Sequence, residues 1–390
     1  MRPVPPQEAL ARNRLAVAGG FATQGFVFIS LTTRLPEFSD KWDLSEIELS
    51  LLLLGLVLLA GVGTLAAERL APRTGSSAPL RWAFAGTAVT VTAATLAPSA
   101  PVFFVSTSLY GVFLGVIDAC VNMQAVALEH RYGRPILPSF HGSWTVGGLL
   151  GSALTLATAD ADLRWMALLA IVPVAALAAP YLPHERSGVP DADVSVPWRP
   201  ILLVGAALVL FYMVDTAAFT WGPTFLDRAV DAPSRLVALA TFPYLLASGA
   251  VRLAGDDLVR RHGAVRVLRA GTLVASLGLA IVVFAPAWPV AVLGFLVMGA
   301  GVAVVAPLSF SAAARLAGGD TSDDGERRAR VDAVIARFNQ FNYVGALLGA
   351  VMTGVVGAGS LRVGFAVPMV LVLGLLPLAT AFDPARRLAD

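Results

Sequence analysis

Apolar residues recur along the 390-residue chain in runs of about twenty, separated by short polar connections. A helix rises 1.5 Å per residue, so roughly twenty residues cross about 30 Å of hydrocarbon. The runs predict twelve helices, at 13–34, 47–67, 80–97, 101–128, 135–158, 163–182, 199–226, 234–254, 264–284, 289–314, 329–356 and 361–381. The longest polar connections are 183–198 and 315–328. The first of these divides the chain into an N-terminal six-helix bundle (1–182), a cytoplasmic linker (183–198) and a C-terminal six-helix bundle (199–390).

The polar positions orient the predicted helices. Alternate connections together with both tails carry 22 Lys and Arg, against 6 on the opposite side. Positive charge is retained on the cytoplasmic face. The bias therefore predicts cytoplasmic termini and an even number of helices. Trp42, Trp82, Trp165, Trp198 and Trp288 fall near predicted helix ends, as an interfacial aromatic belt does. Composition agrees: 57% of residues are hydrophobic and 14% charged, against about a quarter charged in soluble domains. The first apolar run lacks a small-residue cleavage site and reads as a retained helix. The one cysteine, Cys120, excludes an intrachain disulfide and reads as a packing residue. No basic block suited to nucleic acid and no metal-ligand spacing is present, and no cofactor is implied.

The halves repeat each other. Val146-Gly-Gly-Leu-Leu-Gly151 recurs as Val344-Gly-Ala-Leu-Leu-Gly349. The connection from Glu68 through Arg73 to Gly75 matches that from Asp256 through Arg261 to Gly263. Pro36 and Phe38 are matched by Pro223 and Phe225. Three ordered matches at offsets of 187 to 198 predict an all-α membrane protein of two six-helix bundles, the layout of the major facilitator fold.

Ionisable groups at membrane depth are costly and mark function. Two acids lie deep in predicted helices, Asp118 in the fourth and Asp215 in the seventh, and both read as proton-coupling residues. At 100° per residue, Asn122 stands about 40° and Glu129 about 20° from Asp118 around the helix. The three form a polar stripe, with Cys120 on another face. Asp215 has Tyr212 nearby, and an internal ion pair with Arg252 is the alternative for that acid. His141 and Trp144 in the fifth helix correspond in the repeat to the region of Asn339 and Asn342 in the eleventh. With Gln24, Asn122 and Tyr212 they are the candidate substrate contacts. Trp221 reads equally as a cavity ring or a core residue. Glu68, Arg73, Asp256 and Arg261, in cytoplasmic connections, are candidate gating residues, and topology determinants are the alternative.

The block Gly115-Val-Ile-Asp118-Ala-Cys-Val-Asn122, continuing through Gln124 and Glu129 to Gly133-Arg134-Pro135, then Ser139-Phe140-His141-Gly142-Ser143-Trp144, resembles the fucose-permease-like branch of the major facilitator superfamily. So do Arg34-Leu35-Pro36 and Arg252-Leu253-Ala254-Gly255-Asp256. The resemblance covers essentially the whole chain. It implies proton coupling at Asp118 and substrate contact at Asn122 and His141. Two departures stand out. The permease uses an acid in the first helix, where this chain offers Gln24, and Pro72 occupies the place of the superfamily's usual aspartate between helices 2 and 3.

The functional expectation is a proton-coupled symporter that moves a small polar, sugar-like solute by alternating access. It is expected to act as a monomer in a bacterial inner membrane, with the solute, protons and the lipid bilayer as its partners. Proton-driven efflux of a drug or natural product is the alternative. It is disfavoured because drug antiporters usually carry a mid-helix arginine in helix 4 and a Gly-Pro motif in helix 5, and both are missing here. A membrane-embedded enzyme would need a nucleophile–base pair or metal cluster at depth, and no such spacing is present.

Overall fold

The computed structural model describes residues 7–132, 136–183, 198–318, 334, 338 and 340–383. The chain separates into two compact units, Met1–Ser187 and Gly188–Asp390. Eight helical runs are long and apolar enough to cross a membrane, and Leu163–Ala176 and Gln340–Val356 are shorter apolar ones. With the 19-residue α4 and the 21-residue α6 defined below, twelve helical segments stand among the described residues where the sequence predicts twelve spans. Leu15, Phe284 and Leu253 leave large apolar side chains on the outside, as a lipid-facing surface requires.

The first unit contains α1 (Gln7–Thr32), α2 (Leu35–Trp42), α3 (Glu46–Thr74), α4 (Ser77–Thr95), α5 (Ala100–Tyr132), α6 (Leu137–Ala157) and α7 (Ile171–Ala176). Its main packing pairs are α3 on α5, α1 on α6 and α4 on α5. The short α2 falls within the predicted connection after the first span. Its apolar positions, Leu35, Pro36 and Phe38, are buried while Asp40 and Lys41 are exposed. An eight-residue amphipathic helix is too short to register as a hydropathy run. The predicted sixth span is a 3-10 segment, Leu163–Ala170, leading into α7.

The second unit contains α8 (Trp198–Val230), α9 (Phe242–His262), α10 (Ala264–Val283), α11 (Trp288–Val302) and α12 (Val305–Gly318), followed by Gln340–Leu347 and Leu361–Leu371. Here α10 packs on α11, α11 on α9, and Gln340–Leu347 on α8. The predicted tenth span, 289–314, is two helices. Pro307 has no N–H for the Ala303 carbonyl four residues earlier, and the helix parts between Val302 and Val305. The predicted eleventh span contains a π-helical turn, Leu348–Met352, whose Ala350 carbonyl accepts from the Trp221 indole Nε1 at 2.6 Å. Trp221 is thus a core residue, fully buried.

The internal repeat governs packing in both units. A Cβ on Gly147 would collide with the Ala22 carbonyl, and one on Gly345 with the Val209 carbonyl. Likewise Gly151 lies against Phe26 and Gly349 against Met213. Each pair preserves the repeat offsets, 187 on the first helix and 198 on the second. The shared motif is therefore a close helix contact made twice. Gly111 on Leu56 and Gly299 on Tyr244 form another such pair, at an offset of 188. The matched glycines of the two connections agree in backbone as well. Gly75 has φ 76° and Gly263 φ 79°, and each N–H donates at 2.8 Å to a carbonyl four residues back, Ala71 and Val259. Asp43 and Asp231, 188 apart, both adopt φ 51°.

Candidate functional site

In the first unit, α1 and α5 bring Gln24 to Asp118. The Gln24 Nε2 donates to Asp118 Oδ1 at 3.4 Å, a long bond. Gln24 is buried, and its Oε1 has no hydrogen-bond partner. Asp118 is half-buried. Leaving a buried amide oxygen unpaired costs about 1–3 kcal/mol. The pair therefore holds unused hydrogen-bonding capacity on the amide at membrane depth.

The rest of the predicted stripe does different work. Asn122 Nδ2 donates to the backbone carbonyl of Asp118, at 2.8 Å, so its amide N–H answers its own helix. Glu129 Oε2 accepts from the Ile136 N–H at 2.7 Å and ties the end of α5 to the start of α6. Cys120 is buried in an apolar cluster with Phe21 and Phe140. Gln124, which the sequence singles out for no task, is a buried brace. It donates to Ser76 Oγ at 2.8 Å and to the Leu182 carbonyl at 3.2 Å, and accepts from the Leu182 N–H at 2.8 Å.

The α1–α6 contact sets His141 and Trp144 beside the same stretch of α1. His141 is exposed and meets the Phe21 ring edge-on at 5.3 Å. Trp144 is half-buried, and its backbone abuts Gly25, the residue after Gln24. The same unit holds a buried arginine at the far end of α1. Arg34 NH1 meets the Glu37 carboxylate at 2.5 and 2.7 Å and the Ala159 carbonyl at 3.3 Å. Its NH2 donates to the Thr158 carbonyl and hydroxyl. The Arg34-Leu35-Pro36 motif is therefore a clamp between α1, α2 and the end of α6.

In the second unit, Asp215 on α8 is buried and accepts from the Tyr244 hydroxyl of α9 at 2.6 Å. Tyr244 is fully buried and packs edge-on against Phe219, with ring centroids 5.3 Å apart. Arg252, two turns beyond Tyr244 on α9, donates its Nε to the Ala303 carbonyl at 3.2 Å. Sequence reasoning missed Tyr244. The signal available was its place in the repeat, where Leu56 is its counterpart. Tyr212 is half-buried and lies edge-on to Phe211. Asn342 is half-buried on Gln340–Leu347, and Asn339 lies outside the described residues.

Among the candidate gating residues, Glu68 and Arg73 are exposed at the end of α3. Arg261 pairs with Asp257 at 2.7 Å within α9, and Arg260 bonds the same carboxylate, which makes this an exposed intrahelical cluster. The Asp256 side chain lies outside the description. Among the described residues no group of three or more His, Cys, Asp or Glu converges as a metal site would need.

The family model for the Major Facilitator Superfamily matches residues 16–323. The uncharacterised transporter y4wD of Sinorhizobium fredii is 29% identical over 311 residues, which cover 76% of this chain and 81% of that protein. An uncharacterised MFS-type transporter of Yersinia pestis is 27% identical, over 68% of each chain. Among solved structures, a mutant of the nucleoside transporter NupG superposes with a TM-score of 0.71 at 13% identity, covering 96% of this chain and 98% of its own. A bacterial homologue of the human lysosomal transporter Spinster gives 0.66 at 12% identity, covering 97% and 96%. At such identities these two show the fold alone. With twelve crossing helices, a doubled six-helix scaffold and a family match over most of its length, the chain is a transporter rather than an enzyme and belongs to the Major Facilitator Superfamily.

Proposed function

We propose that the protein is a proton-coupled secondary active transporter that moves a small polar, sugar-like solute by alternating access. The observation that carries the reading is the Gln24–Asp118 pair within the spans. A carboxyl group there costs several kcal/mol unless function retains it, and a group that gains and loses a proton can change the carrier's charge between steps. Asp118 and Asp215 are assigned proton coupling. Solute contacts are assigned to Gln24, Asn122, His141 and Trp144 in the first unit and to Tyr212, Asn339 and Asn342 in the second. Glu68, Arg73, Asp256 and Arg261 are assigned to gating at the cytoplasmic connections. The protein works as a monomer in a bacterial inner membrane, with both termini in the cytoplasm. The sugar-like class follows from the likeness to the fucose-permease-like branch. The nucleoside transporter among the structural neighbours adds nucleosides to the solutes worth testing.

The test uses full-length protein in proteoliposomes under an imposed pH gradient, with radiolabelled hexoses, deoxyhexoses, polyols and nucleosides as probes. Wild-type protein accumulates at least one probe when the gradient is imposed. Asp118→Asn abolishes accumulation yet retains exchange of that probe at equal pH. Gradient-driven accumulation that survives Asp118→Asn would refute the proton role. If no probe accumulates while a hydrophobic dye is expelled, the polar-solute reading fails.

A further inference from the structure

The repeat supplies an internal control for the polar residues of the second unit. Tyr244 and Arg252 on α9 stand 188 residues after Leu56 and Thr64 on α3, and Asp215 on α8 stands 187 after Phe28 on α1. Backbone contacts confirm the correspondence without using these side chains, since Gly111 meets Leu56 where Gly299 meets Tyr244. A matching hydrogen bond does so too. Thr64 Oγ1 donates to the Gly115 carbonyl at 3.2 Å, and Arg252 Nε donates to the Ala303 carbonyl at 3.2 Å. Gly115 and Ala303 are again 188 apart.

The contacts are the same and the chemistry is not. In the first unit Phe28 and Leu56 pack into one apolar cluster. In the second, the same two positions hold a carboxyl and a phenol joined at 2.6 Å. Thr64, neutral, is replaced by a guanidinium. Phe, Leu and Thr therefore suffice for this packing, and the polar trio exceeds what the scaffold needs. An ionisable residue in mid-membrane is costly even on the mildest scale. Its presence at positions where an apolar set serves the fold points to function.

Arg252 also stands at a weak point. The Ala303 carbonyl has lost its helical donor because Pro307 lacks an N–H, and Arg252 supplies one. Arg252 and Tyr244, the acid's hydrogen-bond partner, stand on the same helix, α9, two turns apart. That helix thereby connects the acid to the joint of a broken helix. The other groups around the acid are few. Tyr212 stands three residues before the acid on its own helix. The α11 helix contributes no charged residue, and α12 has Arg315 in its last turn. Of the remaining elements packed on α8, Gln340–Leu347 brings Tyr343 and the 234–240 turn the exposed Arg235. Leu361–Leu371 brings Arg362, bonded to the Val283 and Ala229 carbonyls.

We infer that Asp215, Tyr244 and Arg252 form a second coupling site contained in the C-terminal unit, with Tyr244 positioning the Asp215 carboxyl and Arg252 tying it to the break between α11 and α12. In the register of the repeat, Phe28, the counterpart of Asp215, lies one helical turn beyond Gln24, the partner of Asp118. The two acids therefore occupy non-equivalent positions in the repeat. This inference rests on the proton-coupled reading above.

The test needs no substrate. Infrared difference spectra of the purified full-length protein, taken between acid and alkaline pH, report each carboxyl that titrates. Asp118→Asn and Asp215→Asn should each delete a different C=O band. Tyr244→Phe keeps the ring against Phe219 and removes the hydroxyl, so it should displace the Asp215 band and leave the Asp118 band in place. Amide protection over 300–308, taken relative to each amide's intrinsic exchange rate at the same pH, should depend on pH in the wild type. That dependence should vanish in Arg252→Thr, which installs the first unit's residue, and in Arg252→Gln, which keeps a donor for Ala303. A band that Tyr244→Phe does not move, or pH-dependent protection that persists in both Arg252 variants, overturns the inference. If Asp118 titrates and Asp215 does not, this inference alone fails. If neither titrates, the proton-coupled reading fails with it.

Discussion

Replacing Arg34 by alanine removes the cation from a site where its side chain is 3% exposed and bonds five acceptor atoms on two segments, α2 and the end of α6. Breaking a buried ion pair by deleting one partner costs about 3–5 kcal/mol, because the other charge is left uncompensated. Glu37 retains 23% exposure and can recover some hydration. The lower end applies, about 3 kcal/mol, or about two decades in the unfolding equilibrium at 1.4 kcal/mol per decade. Arg34→Lys should recover only part of this, since an ammonium lacks the planar fork that reaches Glu37, Thr158 and Ala159 together. The assay is denaturant unfolding of the full-length protein in lipid–detergent micelles. Glu37→Gln and the double variant complete a mutant cycle that isolates the pair. Arg164→Ala is the control. Its pair with Asp162 is 3.5 Å long with side chains 70% and 55% exposed, and such surface pairs contribute about 0–1 kcal/mol. A cost for Arg34→Ala no larger than that of Arg164→Ala would refute the clamp.

Three further outcomes follow from the packing. Gly147→Leu and Gly345→Leu should destabilise by similar amounts, about 1–3 kcal/mol or more, because each drives a side chain into a facing backbone carbonyl; unequal costs in unfolding titrations would break the claimed equivalence. Gln124→Leu should cost about 2 kcal/mol or more by leaving the Leu182 N–H and carbonyl without their partner, and proteolysis after Leu182 should quicken. Trp221→Phe should cost about 1 kcal/mol for the lost bond to Ala350 and raise amide exchange within 348–352; unchanged exchange there would separate the indole from the π-turn.

Much of the scaffold was legible in the chain. A membrane span is a local property, set by hydropathy over about twenty residues, so the number of spans and the repeat could be read without knowing any contact. The repeated glycines could be read too, because close helix contact demands a small residue wherever it occurs. The polar residues were legible only as single positions. Asp118 and Gln24 were each singled out, but their bond joins residues 94 apart in sequence. Glu129 lies on the stripe of Asp118 by angle, yet its carboxylate turns to the Ile136 N–H. The break at Ala303 was written in Pro307, although a proline inside an apolar run does not by itself say whether the helix kinks or parts.

The sequence by itself thus determined the membrane, the twelve crossings, their doubling and the family, because these rest on composition and local period. Only tertiary structure decided which polar groups meet. It gave Asp215 to Tyr244, Arg252 to a carbonyl that a proline had orphaned, and Arg34 to the end of another helix. Each of those bonds depends on which faces of which helices pack, and in lipid that choice is made by close van der Waals fit and hydrogen bonding between helices.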